Sequence, residues 1–193
     1  MKLTNSDNPL FDATKPPIPE IIRGQLAATG KELTPKQFDE LFGRVVSLYD
    51  LKTLIFVEEI SAIADEIHIQ PKIGFELVSL KTTIGPNILP AATVILETPD
   101  KERITSQAAG YSSTDAICSA ISEATQVRVF LKDLEFHTIV HGSNSLGQVN
   151  ITAEYHNRQV RTTACSIDML EAIAKAYLAA INIVMDRINQ QLD

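Results

Sequence analysis

Four kinds of side chain bring possible chemistry to this chain, and their spacing narrows what each can do. His137 and His141 fall in one predicted strand. Their separation there is about 13 Å at about 3.3 Å per residue, too far to share one metal ion. His68 and His156 have no sequence partner, so a metal centre is not expected. Ser112 and Ser113 precede a predicted helix, where a nucleophile would need a neighbouring base. No histidine lies near them in sequence, and helix capping accounts for both. Cys118 and Cys165 sit at or beside helix starts, where a thiolate is favoured; they are read as buried, inert thiols. Asp115 and Asp168 lie in the first turns of two predicted helices and leave two readings open. Each can complement its own helix dipole. Each can also hold the ammonium of a free amino acid whose carboxylate takes backbone N–H groups at the helix start.

The elements that position these residues are legible from periodicity. Leu170, Ile173, Tyr177, Ile181, Val184 and Ile188 recur at steps of three and four, the stripe of one long helix from about Cys165 to Ile188. Ser166 is expected to cap it, with Asp168 in the first turn. Met169, Leu178, Ile183 and Met185 lie off that stripe, so the helix must be covered on two sides, which predicts a homodimer. Upstream, Val149, Ile151, Ala153 and Tyr155 alternate as in a half-buried strand. The order strand, loop, strand, turn, strand, helix also occurs earlier, between Phe75 and Thr125. Laid on one another, Gly85, Asn87 and Leu89 meet Gly142, Asn144 and Leu146, Val94 meets Val149, and Ser113–Asp115 meets Ser166–Asp168. The expected fold class is therefore α+β, a tandem βββα repeat of two units around one core.

Before the repeat the chain reads as helical. Residues 1–19 are polar and proline-bearing and are expected as a flexible arm. Residues 20–72 form a helical linker subdomain. In it Thr34 is the N-cap and Pro35 the first helical residue, and Phe38, Leu41, Phe42, Val45, Val46 and Leu48 form an apolar stripe. Ile60, Ile63 and Ile67 mark a further helix from about Val57. The repeat then occupies 73–193, as units 73–126 and 127–193. Hydrophobic residues make up 45% of the 193, enough for a full core, and no run is long enough to cross a membrane. The net charge of −7 argues against nucleic-acid and anionic-membrane partners, since no segment gathers enough Lys and Arg to escape that average. Two cysteines outside any disulfide or metal spacing, and no signal-peptide pattern after Met1, predict a cytoplasmic setting.

The second unit, with Gly142–Val149 (GSNSLGQV) followed by Ser166–Asn182 (SIDMLEAIAKAYLAAIN), resembles the C-terminal regulatory domain of the 2-isopropylmalate synthase and citramalate synthase family. In the first unit Pro90–Val94 (PAATV) matches that family's strand start, and Gly30–Ile67 resembles the helical linker before the domain. The resemblance implies two βββα units that pack together and dimerise. It also implies a feedback inhibitor, leucine or isoleucine, bound around loops and helix starts. The residues it assigns to that effector are Gly142, Asn144, Leu146, Gly147, Ala164, Ser166 and Asp168 in the second unit, and Asn87, Ala91 and Asp115 in the first. Catalysis in that family belongs to a metal-dependent TIM barrel of about 250 residues, which cannot fit here. The chain is thus expected to be no enzyme by itself and to bind no cofactor, and to serve a catalytic barrel supplied in cis or in trans. A structural dimerisation module that binds no amino acid is the alternative.

Overall fold

The computed structural model describes residues 9–70, 74–139 and 145–190, the last without the Asn189 side chain. Two compact units result, Met1–Ile69 with Thr138–Leu146, and Gln70–His137 with Gly147–Asp193.

In the first unit three helices follow in order: α1 (Pro19–Ala28), α2 (Pro35–Lys52) and α3 (Val57–Ile69). Thr34 caps α2 through a capping box with Gln37, and Pro35 opens the helix where its missing N–H costs nothing. Phe38, Leu41, Val45 and Leu48 are buried, as are Ile60, Ile63 and Ile67 of α3. The expected arm is fastened where it is described. Leu10 and Phe11 donate to the Ile55 carbonyl, Ile55 donates back to Phe11, and the Tyr49 hydroxyl donates to Asp12 O. Phe11 is fully buried, and burying an aromatic ring outweighs the polar, proline-bearing composition on which a free arm was expected. A buried ion pair, Lys52 Nζ to Glu59 Oε1 at 2.5 Å, joins α2 to α3, and Glu59 Oε2 accepts from the Phe56 N–H.

The second unit holds the repeat: β1 (Glu76–Thr83), β2 (Ala91–Glu97), β3 (Arg103–Ala109), α4 (Ser113–Thr125), then β4 (Phe130–Thr138), β5 (Gly147–Tyr155), β6 (Arg158–Ser166), α5 (Met169–Asn189). The strands form two three-stranded sheets in the orders β1-β2-β3 and β4-β5-β6. Ala92, Val94 and Leu96 on one sheet, and Val149, Ile151 and Ala153 on the other, are buried in one core with Ile117, Ile121, Ile173, Tyr177 and Ile181 of the helices. His156 and Asn157 both have positive φ, 45° and 61°, and close the β5–β6 hairpin as a two-residue turn matched to strand twist.

Three expectations are corrected here. First, Asp168 and not Ser166 caps α5, because Ser166 is still the last residue of β6 and pairs with Gly147. Second, the repeat register shifts. The N-caps are Ser112 and Asp168, so Ser112 corresponds to Asp168 and Asp115 to Glu171. Six residues before each cap, Ser106 pairs with Val94 and Thr162 with Ile151, so Val94 corresponds to Ile151. Third, the off-stripe residues of α5 are covered within their own unit, all but Met169, which stays 37% exposed. Leu178 is in the core and Ile183 and Met185 pack against it, because α5 touches β5, β6, α4 and β1 of its own unit. Asn182 on α5 clasps the chain just before β1, accepting from Phe75 N and donating to Phe75 O, both at 2.9 Å. Gly74 lies directly beneath that carboxamide, where any Cβ would overlap it.

Candidate functional site

At the start of α4 the chain leaves β3 through Gly110, whose N–H donates to Pro90 O at 2.9 Å. A Cβ at Gly110 would collide with Ala116 N, so only glycine lets the strand end lie this close to the helix start. Ser112 Oγ accepts from Asp115 N at 3.1 Å, and Asp115 Oδ2 accepts from Tyr111 N at 2.9 Å. These reciprocal bonds hold the carboxylate in one place, and they leave Oδ1 without a hydrogen bond among the described residues.

Beside Asp115 lies a cavity of about 240 Å³, lined by Cys118, Ser119 and Ser122 of α4, by residues 128–131 and by Tyr177 of α5. Its walls differ in character. The Tyr177 hydroxyl donates to Val129 O at 2.9 Å, so the Ser122 hydroxyl, also at 2.9 Å, must be the donor to Tyr177. Burial pushes the Tyr177 phenol above its ordinary value. It also pushes the Cys118 thiol up to about 12, with the neighbouring Asp115 charge adding to it. A thiol held protonated in this way is no nucleophile. What remains is a carboxylate at Asp115, a guanidinium at Arg128 and apolar surface from Phe130 and Leu131. Arg128 makes no ion pair among the described residues. Pockets for drug-sized ligands measure about 300–1,000 Å³, so this smaller space suits a single small molecule.

The second helix start is built differently. Asp168 Oδ1 accepts from Leu170 N at 2.8 Å and Glu171 N at 3.4 Å, and the side chain is exposed. Ser166 Oγ accepts from Asp168 N at 3.1 Å and donates to Glu171 Oε2 at 3.0 Å. Ala164 is fully buried in the core. Gly147 pairs with Ser166, and a Cβ there would come within 3.3 Å of Ser166 O and 3.4 Å of Met169 Cε.

Of the residues expected to bind an effector, the structure therefore gathers two clusters. One joins the strand opened by Ala91 to Asp115 through the Pro90–Gly110 bond, with Asn87 exposed in the preceding loop at a φ of 58°. The other joins Gly147, Ser166 and Asp168. Of the expected effector residues that are described, Asp115 alone lines the cavity beside it; Asn87, Ala91, Leu146, Gly147, Ala164, Ser166 and Asp168 do not. Leu146 is buried, and its carbonyl accepts from Ile139 N at 3.0 Å. Gly142, Asn144 and His141 lie outside the described residues. Sequence reasoning missed Arg128, Phe130 and Leu131. Its available signal was a cation inside the otherwise apolar run Val127–Leu131 between a helix and a strand.

The fold defines an α+β domain built as a tandem βββα repeat, and no helix among the described residues is long and apolar enough to cross a membrane. The model of the family described as the LeuA allosteric (dimerisation) domain matches residues 54–185, more than half of the chain. The chain belongs to that family. It is 30% identical over 161 residues to a 2-isopropylmalate synthase of Sediminispirochaeta smaragdinae, covering 83% of this chain and 32% of the relative. For the Microcystis aeruginosa 2-isopropylmalate synthase the values are 31% over 161 residues, 83% and 30%. For that of Brevibacillus brevis they are 31% over 163 residues, 84% and 32%. The chain thus spans 30–32% of the length of these curated relatives.

Proposed function

We propose that this chain is the allosteric regulatory and dimerisation domain of a 2-isopropylmalate synthase-type transferase, and that it senses a branched-chain amino acid, leucine or isoleucine, beside Asp115. The observation that carries the reading is that Asp115 and Arg128 both line one small cavity that also has apolar walls. An amino acid needs an anion for its ammonium, a planar cation for its carboxylate and apolar surface for its side chain, and all three are present. In this reading the Asp168 cluster caps α5 and borders no ligand. Binding alters the contact of α4 with α5 at the Ser122–Tyr177 hydrogen bond and so reports to a condensing barrel supplied in cis or in trans. The chain works in the cytoplasm as a homodimer. Exposed apolar groups support the dimer: Ile84, Ile88 and Leu89 stand out from the β1–β2 loop, and Tyr111 is 98% exposed.

Calorimetry against the twenty amino acids tests the proposal. Heat is expected for leucine or isoleucine and lost on Asp115→Asn. Silence for all twenty, with sedimentation still giving a dimer, would instead establish a structural dimerisation module, the reading favoured by the exposed loop alone. By itself the chain is expected to condense no acyl-CoA with a 2-oxo acid.

A further inference from the structure

At the opposite end of α5 from its cap lies a larger cavity, of about 370 Å³. Tyr155, His156, Arg158 and Val160 of the β5–β6 hairpin line one side, and Val184, Arg187 and Ile188 of α5 the other. Val160 and Val184 are buried and Ile188 is half-buried, so the floor is apolar. The rim is not. Among the described residues its polar side chains are two guanidiniums, an imidazole and a phenol, with no carboxylate, although the chain as a whole carries a charge of −7. Neither Arg158 nor Arg187 forms an ion pair among the described residues. The hairpin turn fixes the His156 ring edge-on to Tyr155, with centroids 4.3 Å apart, so this part of the rim is held in place.

Arg187 in the last turn of α5 also complements the helix dipole, and that alone would explain its presence there. It does not explain why Arg158, from a different element, borders the same apolar-floored cavity. We propose that this cavity is a second ligand site, selective for a small aliphatic monocarboxylic acid. The carboxylate lies between Arg158 and Arg187, where planar guanidiniums accept it in fork geometry. The aliphatic chain lies on Val160, Val184 and Ile188. With no carboxylate among the described residues of the rim, an ammonium has no anionic partner among them, so the site rejects amino acids and is chemically distinct from the one proposed beside Asp115.

The probe is 4-methylpentanoate, the carbon skeleton of leucine without its amino group, titrated calorimetrically into the 193-residue chain. It is expected to bind, while leucine does not compete and the neutral 4-methylpentanamide does not bind. Replacing both arginines (R158Q/R187Q) is expected to weaken the probe by about 150-fold or more, since the loss of each charge-assisted bond alone weakens it about 10- to 150-fold. Both arginines are exposed, so the double variant is expected to melt as the parent does. Asp115→Asn is expected to leave probe affinity unchanged whether or not an amino acid binds beside Asp115, which separates this proposal from that one. Absence of heat with the probe would overturn the inference. So would full affinity in the double variant, loss of affinity in Asp115→Asn, or equally tight binding of acetate, which lacks the aliphatic chain.

Discussion

Replacing Asp115 by Asn changes one charge and almost no volume, which makes it the sharpest probe of the effector site. The folded state loses little. Asn can keep the acceptor for Tyr111 N at 2.9 Å, and Ser112 still caps α4. What disappears is a carboxylate in the first turn, and its interaction with the helix dipole contributes about 0.3–1 kcal/mol. For a domain of this length that shifts the melting temperature by about 1–4 °C. The bound amino acid loses more, because its ammonium faces an amide instead of an anion. A charge-assisted hydrogen bond contributes about 1.5–3 kcal/mol, which weakens the dissociation constant roughly 10- to 150-fold. The matched control is Asp168→Asn, which has the same dipole cost at the second helix start but does not line the cavity. Calorimetry with leucine or isoleucine and thermal melts on both variants separate the two roles. If Asp168→Asn abolishes binding while Asp115→Asn binds as the parent does, the site is misplaced and belongs at the start of α5.

Cys118 should resist iodoacetamide at neutral pH in the folded chain and react once the chain is unfolded, as mass spectrometry of the alkylated peptide would show. Its folded thiol keeps its proton up to about 12 against an ordinary 9.0, so the unfolded chain deprotonates first. The stability this contributes is complete below about 9 and is lost as pH rises towards 12, seen as a falling melting temperature on the alkaline side. Lys52→Met should destabilise the helical unit by about 3–5 kcal/mol, because it leaves the buried Glu59 carboxylate without its cation; Lys52→Met combined with Glu59→Leu should recover much of the loss in urea unfolding. Asn182→Ala should cost about 1–3 kcal/mol in the same assay by releasing Phe75 N and O from the clasp. A loss below a few tenths would mean water replaces both bonds.

Local physics made much of the fold readable. Ile173, Tyr177, Ile181 and Val184 announce α5, since a helix that buries one face must repeat apolar groups at three and four. Thr34 and Pro35 announce α2, because a capping box and a first-turn proline act within one turn of chain. Val149, Ile151 and Ala153 alternate because one face of β5 packs and the other does not. The repeat order followed from these local signals. Its exact register did not, because the cap of α5 depends on how far β6 runs. Ser166 has the chemistry of an N-cap, yet pairing with Gly147, distant in sequence, keeps it in the strand and passes the role to Asp168.

Other features exist only where distant segments meet. Leu178, Ile183 and Met185 on the second face of α5 are covered within their own unit while Met169 stays exposed, and periodicity alone cannot say which residues a neighbour in the same chain covers. Phe11 pairs with Ile55, and composition carries no trace of that distant bridge. The acidic side of the candidate site was visible as Asp115 at a helix start. Arg128 was not, because its nearness to Asp115 comes from the chain turning back after α4 at Gln126, in the left-handed conformation, so that the start of β4 runs beside the helix. A carboxylate can be assigned to a helix turn from sequence, but the cation that completes a binding site is chosen by the packing of whole elements.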